Sequence, residues 1–249
     1  MQVDDLFRLG GDFFEQIIQA IYSDRLRVGD VVVDAGASHG FHTLPIAELV
    51  GRTGQVIAYE PIRHLAWRLW RKTLRMRQVK IVNAALSDRS GKASFNLVQA
   101  ASGYSGLADR QLPQGFAATI EKIKVRTTTL DETVTRRPVR FIKMDIEGGE
   151  FHALQGGRAM LQGSRPLIAF EHAGQPTATA YGYSPEQFFD LFESLGYVLF
   201  DVFGRPYGPN DWSRPKSPWY KVAAALGTDD EVFCRDRLPT LIFEVASRR

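Results

Sequence analysis

Cysteine is almost absent from this chain, which has Cys234 as the one cysteine in 249 residues. A single cysteine forms no intrachain disulfide, so a secreted disulfide scaffold and a cysteine-rich zinc module are both excluded. Long hydrophobic runs are also lacking, and nowhere do 18 apolar residues follow one another. No membrane span is therefore expected. The first residues carry acids where a signal peptide needs bases. Together these absences predict a cytoplasmic protein.

A strong excess of charge is missing as well. The 31 lysines and arginines nearly balance 28 acids and leave a net charge of +3, too little to predict a polyanion-binding protein. Nucleic acid is therefore not the expected partner. The length predicts a single domain over 1–249, with a helical extension at 1–28, a Rossmann-like core at 29–203, and an aromatic, proline-rich loop with a C-terminal strand region at 204–249.

Apolar runs alternate with helical patterns along most of the chain. We predict strands at 31–33, 55–60, 79–84, 92–98, 122–129, 140–145, 166–171 and 197–203. We predict helices at 4–22, 40–50, 62–77, 149–162 and 185–195. Either 231–235 or 240–246 is expected to supply a final strand. This alternation predicts an α/β fold, Rossmann-like and doubly wound, with a mostly parallel sheet and helices on both faces.

The turn after the first strand is the sharpest local signal. Asp34 is followed by the small residues Gly36, Ala37 and Gly40, which let a ligand approach the backbone at the start of a helix. Glu60 ends the next strand, where an acid can accept both hydroxyl hydrogens of a ribose. The two features together predict a site for an adenosine-containing cofactor. A tight strand-to-helix connection without a ligand is the alternative interpretation of the turn.

The departures from known glycine patterns indicate which cofactor is expected. A dinucleotide fingerprint has glycine at the positions of Ser38 and Phe41, so a pyrophosphate would meet side chains here. No P-loop sequence occurs either. A phosphate-free adenosine ligand fits better, and the string D-x-G-x-S-x-G resembles the first motif of class I S-adenosylmethionine-dependent methyltransferases.

Further strings resemble one family, the FkbM-type methyltransferases. They occur in the family's order as VIAYEP, VNAALSD, TTLD, FIKMDIEGGE and IAFEH. The resemblance implies a seven-stranded sheet with an antiparallel last strand, S-adenosyl-L-methionine as cofactor, and O-methylation of a hydroxyl on a sugar or polyketide-like small molecule. A nicotinamide-dependent oxidoreductase and a non-catalytic nucleotide- or RNA-binding module are the alternatives.

The resemblance also implies roles for residues. Asp34, Gly36 and Gly40 would hold the amino-acid end of the cofactor and Glu60 the ribose, with the turn 83–85 at the adenine. The whole set expected to bind the cofactor is Asp34, Gly36, Ala37, His39, Gly40, Phe41, Glu60, Pro61, Asn83, Ala84, Ala85 and Asp145. For Asn83, stabilisation of a turn is the alternative role.

Three residues are candidates for catalysis. Asp145 ends a strand at the carboxyl edge of the sheet, where open α/β folds bind ligands. Glu147 begins the next helix, and His172 ends the following strand, where it would take a proton from the acceptor hydroxyl. For Glu150 a structural role at the helix start is favoured. No metal-binding motif occurs, and no metal is expected.

Two groups of side chains remain without an assigned role. In the helix over 62–77, basic residues are predicted on one face, while Trp70 and Leu74 are predicted to share the sheet-packing face with Leu65. The basic stripe is typical of a solvated face, or of a site for an anionic acceptor, a lipid headgroup or RNA phosphate. Aromatic residues near the C-terminus, among them Tyr220 and Trp212, are candidates for an acceptor pocket. A homodimer is also possible.

Overall fold

The computed structural model describes residues 11–99, 105–108, 119–133, 135, 137–213 and 220–247. Its strands are β1 (Val31–Ala35), β2 (Gln55–Tyr59), β3 (Val79–Val82), β4 (Ala85–Leu86), β5 (Gly91–Val98), β6 (Ile120–Thr128), β7 (Val139–Met144), β8 (Leu167–Glu171), β9 (Tyr197–Asp201) and β10 (Tyr220–Ala225). Its helices are α1 (Gly11–Arg25), α2 (Thr43–Val50), α3 (Arg63–Thr73), α4 (Glu150–Gln155), α5 (Arg158–Ser164), α6 (Gln175–Tyr181), α7 (Pro185–Ser194), α8 (Asp229–Val232) and α9 (Leu238–Ala246).

A seven-stranded sheet forms the centre of the domain, with strand order β3-β2-β1-β7-β8-β10-β9. All neighbours pair in parallel except β10, which is antiparallel to β8 and β9. The strand order reverses between β1 and β7, and open α/β sheets bind ligands at such a reversal, at the carboxyl ends of the strands. The predicted doubly wound, mostly parallel fold is confirmed, including its antiparallel strand.

The sheet is buried on both faces, as its apolar strands predict. Along β1, Val31 and Val33 pack into one core with α4 to α7, whereas Val32 packs into the other core with α1, α2 and α9. Helix α1 contributes Phe13 and Ile17 to this second core, and both side chains are fully buried. The predicted N-terminal helix is therefore present from Gly11 onward, while its first residues lie outside the described part. No helix of the described residues is long and apolar enough to cross a membrane.

Strands β5 and β6 do not join the main sheet. They pair antiparallel, and β6 also pairs with the short β4, which gives a separate three-stranded sheet with the order β4-β6-β5. The predicted strands at 92–98 and 122–129 are thus correct in position. Their separation into a second sheet was not predicted from the sequence.

The expected C-terminal strand is wrong in both of its alternatives. Residues 231–235 lie in α8 and a following π-helical turn, and 240–246 lie in α9. Leu241 and Ile242 are buried against the core that contains α1, and this stripe has helical spacing. The last strand is instead β10, directly after the proline-rich segment. The predicted helix over 149–162 is also divided, into α4 and α5 with two glycines between them.

The predicted faces of α3 are wrong for two residues. Trp70 and Leu74 are 51% and 58% exposed, although they were expected to pack on the sheet. The helix ends at Thr73, and its buried residues are Leu65, Ala66, Leu69 and Thr73. This narrow stripe is enough to cover the sheet edge, so Trp70 and Leu74 lie on the outer surface.

Candidate functional site

A pocket of about 350 Å³ lies at the carboxyl ends of β1, β2 and β7. Small-molecule sites have volumes of roughly 300–1,000 Å³. The residues of the sequence-predicted set that line this pocket are Gly36, Ala37, Phe41, Glu60, Pro61, Ala84, Ala85, Asp145 and Glu147. The members of that set that do not line it are Asp34, His39, Gly40, Asn83 and His172. The fold therefore brings most of the predicted residues together from distant parts of the chain.

Gly36 allows the loop after β1 to contact the loop after β7. Its φ is +80°, and a Cβ at this position would lie 1.8 Å from the carbonyl oxygen of Asp145. Any other residue would clash with that backbone and would also be strained in the left-handed region. The Asp145 amide in turn donates to the carbonyl of Ala35 at 3.1 Å. The glycine thus holds Asp145 beside the first loop of the pocket.

Ser38 occupies the position of the middle glycine in the motif and adopts a glycine-like backbone, with φ at 46°. Its N–H donates to Glu60 Oε2 at 2.9 Å, and the N–H of Ile62 donates to Glu60 Oε1 at 2.7 Å. Burial raises the pKa of Glu60 to about 7, although both backbone N–H groups favour the charged form. One carboxyl group therefore joins two loops of the pocket and keeps lone pairs for a ligand hydroxyl.

Asp34 lies fully buried at the base of the first loop. Thr43 Oγ1 donates to Asp34 Oδ2 at 2.5 Å, whereas Asp34 Oδ1 is buried with no hydrogen-bond partner among the described residues. A buried carboxylate oxygen without a donor is unfavourable. This oxygen lies at the base of the loop and outside the pocket lining, so the predicted contact of Asp34 with the amino-acid end of the cofactor stays a prediction.

Three predicted residues support the pocket from behind. A Cβ on Gly40 would lie 2.5 Å from Leu69 of α3, so this glycine packs against the helix. His39 is exposed, and its carbonyl accepts a hydrogen bond from Lys72 at 2.9 Å. Asn83 Nδ2 donates to the carbonyls of residues 60 and 61 at 2.8 and 3.0 Å. Each of the three holds a pocket loop in place.

One end of the pocket is apolar. Ile62 and Leu65 pack with Ala85 and with Phe95 of the small second sheet, and all four line the pocket. A flat apolar base binds well between such side chains. The second sheet therefore supplies one wall of the place predicted for the adenine.

Asp145 dominates the polar end. The Tyr220 hydroxyl donates to Asp145 Oδ2 at 2.8 Å, and Lys143 Nζ lies 3.9 Å from the same oxygen. Burial alone would raise the pKa of Asp145, but Lys143 and the Tyr220 hydroxyl outweigh it and hold that pKa below its ordinary value. Asp145 is therefore ionised at neutral pH. Of the aromatic residues predicted to form an acceptor pocket, Tyr220 contacts this site, and Trp212 packs in a core.

Two further carboxyl groups adjoin Asp145. Glu150, Glu171 and Asp145 each place one oxygen within 4.8 Å of the others. Burial raises the pKa of Glu150 to about 7, and burial with the charges of Asp145 and Glu147 raises that of Glu171 well above its usual value. Glu150 Oε1 also accepts the N–H of Ile146 at 2.8 Å, in line with its predicted structural role. Three carboxyl groups at this spacing could hold a cation, and the expectation of no metal stays a prediction.

Glu147 lies at the pocket wall with a left-handed backbone, at φ 60°. The Tyr181 hydroxyl donates to its carbonyl at 3.0 Å. Non-glycine residues are strained in this region, and such strain persists where the surrounding contacts enforce it. The loop after β7 is thus fixed next to the place where an acceptor would bind.

His172 is not brought to the pocket. It is 3% exposed and its ring stacks on Phe188 at 4.3 Å, with Trp212 at 4.9 Å. Burial, followed by the charge of Lys221, lowers its pKa to about 3. A histidine enclosed in this way stays neutral and has no path to an acceptor hydroxyl. We therefore do not propose His172 as the base.

Among the pocket residues that were not predicted as site residues, two contact each other. Glu15 of α1 and His42 after β1 both line the pocket, and His42 Nε2 lies 2.5 Å from Glu15 Oε2. The Tyr220 hydroxyl also reaches Glu15 Oε1 at 3.2 Å. His42 stood inside the motif and had a detectable signal. Glu15 had none, because its place depends on how α1 packs across the sheet.

The family comparison identifies the same stretch of chain. A model described as the methyltransferase FkbM domain matches residues 34–199. This match confirms the resemblance predicted from the motifs and, with it, S-adenosyl-L-methionine as cofactor. No curated protein matches the chain.

Solved structures give distant likenesses. A methyltransferase FkbM from Methylobacillus flagellatus KT is 17% identical with a TM-score of 0.46, and the match covers 86% of this chain and 55% of that chain. An S-adenosylmethionine-dependent O-methyltransferase from Thermotoga maritima is 13% identical with a TM-score of 0.44, at 85% and 64% coverage. An rRNA methylase from Streptococcus thermophilus is 13% identical with a TM-score of 0.41, at 84% and 93% coverage. This chain thus spans about half of the Methylobacillus protein.

Proposed function

We propose, from the premise that this chain belongs to the FkbM methyltransferase family, that it transfers a methyl group from S-adenosyl-L-methionine to a hydroxyl oxygen of a sugar or natural-product small molecule. The observation that carries this proposal is the division of one pocket into an apolar end at Phe95 and an ionised carboxylate at Asp145. The alternatives of a nicotinamide-dependent oxidoreductase and a non-catalytic binding module have no comparable support.

The residues present fit the cofactor. Asp34 has a buried oxygen without a donor, which suits an amino group. Glu60 lines the pocket and would accept hydrogen bonds from the ribose hydroxyls, while the apolar end around Ala85 would hold the adenine. When bound, the cofactor supplies a methyl group already activated on a sulfonium. This division of the pocket supports the roles that we propose for Glu60 and Ala85.

Asp145 then carries the proton chemistry. The bound cofactor would supply the methyl group to the acceptor oxygen and would leave as a neutral thioether. The hydroxyl proton passes to the Asp145 carboxylate, which Lys143 and Tyr220 hold in place and keep ionised. Because the methyl is activated beforehand, alignment of the acceptor oxygen contributes more to the rate than covalent catalysis.

The polar wall supports a hydroxylated acceptor. Carboxylates accept hydrogen bonds and donate none, and Glu15, Asp145 and Glu147 all line the pocket. Several hydroxyls of one small molecule would find partners there, whereas the excess of carboxyl groups over the one lysine of the lining, Lys143, disfavours a nucleic acid phosphate. The proposal therefore includes a small neutral or cationic acceptor. It also includes the cytoplasmic location that the composition predicts.

The proposal is tested with radiolabelled S-adenosyl-L-methionine and a panel of glycosides, phenols and primary amines. We expect label to enter hydroxyl acceptors, and Asp145→Asn to lower turnover by about 10²-fold or more while cofactor binding measured by calorimetry persists. His172→Phe is the matched control, because its ring lies outside the pocket. Transfer to amines alone, or full turnover by Asp145→Asn, would contradict the proposal.

A further inference from the structure

The outer side of α3 and the residue that follows the helix carry a stripe of exposed apolar side chains, here called the α3 surface. Trp67, Trp70 and Leu74 are 54%, 51% and 58% exposed. Their spacing of three and four residues places them on one stripe along the helix. Phe41, which is 59% exposed, lies on the pocket loop that packs against this helix through Gly40 and Leu69. Exposed apolar stripes of this kind mark contact with a partner.

The segment that contains α3 is rich in basic residues and has no acidic residue. Residues 61–87 contain seven lysines and arginines and no aspartate or glutamate, whereas the whole chain has a net charge of +3. The rest of the chain therefore carries a net charge of −4. All seven cations are exposed, and none forms an ion pair with the described residues. The segment 61–87, which contains α3, thus carries all of the net positive charge of this protein.

We propose that the α3 surface binds the anionic face of a lipid bilayer. Tryptophans with basic neighbours prefer the headgroup level, where the ring is partly buried and the cations meet lipid phosphates. Trp67, Trp70 and Leu74 would enter the interface, while Arg68 and Arg71 flank them on the same helix. The helix remains folded on its domain, so binding needs no conformational change.

The arrangement fits lipid better than RNA. Single-stranded nucleic acid stacks its bases on open aromatic faces, but the guanidinium of Arg71 lies 4.9 Å from the centroid of the Trp67 ring. Leu74 offers no ring for stacking, whereas it suits the acyl-chain boundary of a membrane. This inference does not depend on the proposed acceptor, because no residue of the stripe Trp67, Trp70 and Leu74 lines the pocket.

Co-sedimentation of the full chain with vesicles tests the proposal. We expect binding to phosphatidylcholine vesicles that contain 30% phosphatidylglycerol and little binding to phosphatidylcholine alone. Arg68→Glu with Arg71→Glu should weaken binding by at least about 25-fold, since each cation near an anionic membrane contributes roughly fivefold. Trp67→Ala with Trp70→Ala should also weaken it, and binding should fall as salt is raised.

Matched variants keep the test decisive. Phe243→Ala on α9 replaces an apolar side chain that is 49% exposed, and Arg52→Glu with Arg158→Glu repeats the charge change elsewhere on the exposed surface. Both should bind vesicles like the wild type, and thermal unfolding should show that every variant is folded. Equal loss in the control variants, no binding to the anionic vesicles, or binding of an RNA oligomer in place of vesicles would overturn the proposal.

Discussion

Replacing Glu60 with glutamine should stabilise the free protein as the pH rises while it weakens cofactor binding. The Glu60 carboxyl is 3% exposed, and burial raises its pKa from 4.5 to about 7. The unfolded chain therefore ionises this group before the folded protein does. The stability linked to the protonated form is fully present below pH 4.5 and is lost as the pH rises through 7.

The size of the effect follows from the two pKa values of Glu60. Linkage gives a loss of about 0.8 kcal/mol at pH 5 and about 3.3 kcal/mol at pH 8. Glutamine has no charge, so the variant does not lose stability in this way. The difference in the free energy of unfolding between variant and wild type should therefore change by about 2.5 kcal/mol from pH 5 to pH 8. Glutamine loses one of the hydrogen bonds that Glu60 accepts from Ser38 and Ile62. This loss lowers the free energy of unfolding of the variant by the same amount at both pH values. In a chain of this length the change corresponds to roughly 5–10 °C in the relative unfolding midpoint.

Thermal unfolding of both proteins from pH 5 to pH 8, without and with S-adenosyl-L-methionine, measures the two effects. Without cofactor, the unfolding midpoint of the variant should rise relative to that of the wild type as the pH increases. The increase in midpoint on adding cofactor should be smaller for the variant than for the wild type. Glu48→Gln on the exposed side of α2 is the matched control and should change neither quantity. Parallel pH curves for wild type and Glu60→Gln would refute the buried-charge reasoning, and an unchanged cofactor affinity would refute the ribose assignment.

Three more variants address other parts of the site. Gly36→Ala should lower the free energy of unfolding in urea by at least about 2 kcal/mol and abolish cofactor binding, because its Cβ would lie 1.8 Å from the Asp145 carbonyl; wild-type stability would contradict this. Tyr220→Phe removes the donor to Asp145, so the pKa of Asp145 should rise and the acidic limb of the rate profile should move to higher pH; an unmoved limb would count against the contact. His172→Phe should leave turnover unchanged, and slower turnover would restore His172 to the site. The variant should also lose less stability than the wild type as the pH falls below 6.5. The reason is that the pKa of His172 is lowered to about 3 in the folded protein, so the unfolded chain takes up the proton first.

The sequence predicted the main sheet and the first half of the pocket because those features depend on local patterns. Alternating apolar runs determine the strands, and the string from Asp34 to Gly40 combines small residues with the start of α2. Glu60 and Asp145 were found because both end strands, and strand ends of a parallel sheet meet at one edge. In these places the pocket residues lie within a few positions of the sequence pattern that predicted them.

The remaining features depend on packing between distant segments. Glu15 and Tyr220 contact each other across 205 residues, and neither lies in a motif. His172 ends a strand as Asp145 does, yet its ring turns into the aromatic core beside Phe188. Trp70 has the hydropathy of a core residue but lies outside the narrow buried stripe of α3. In all three cases the outcome depends on where a side chain points in the folded protein. The apolar pattern of the sequence did not show this direction.

Helix α1 has a consequence for how new activities arise on this fold. Its apolar side fills the core with Phe13 and Ile17, and Glu15, two residues from each, lines the pocket in which we propose that the acceptor binds. Selection for a different acceptor therefore acts on a segment whose neighbouring positions decide whether the domain folds. Exchange of the whole helix between family members would change specificity and stability together, whereas substitution of Glu15 alone leaves the buried stripe intact. Laboratory evolution of acceptor choice should accordingly begin at that single position.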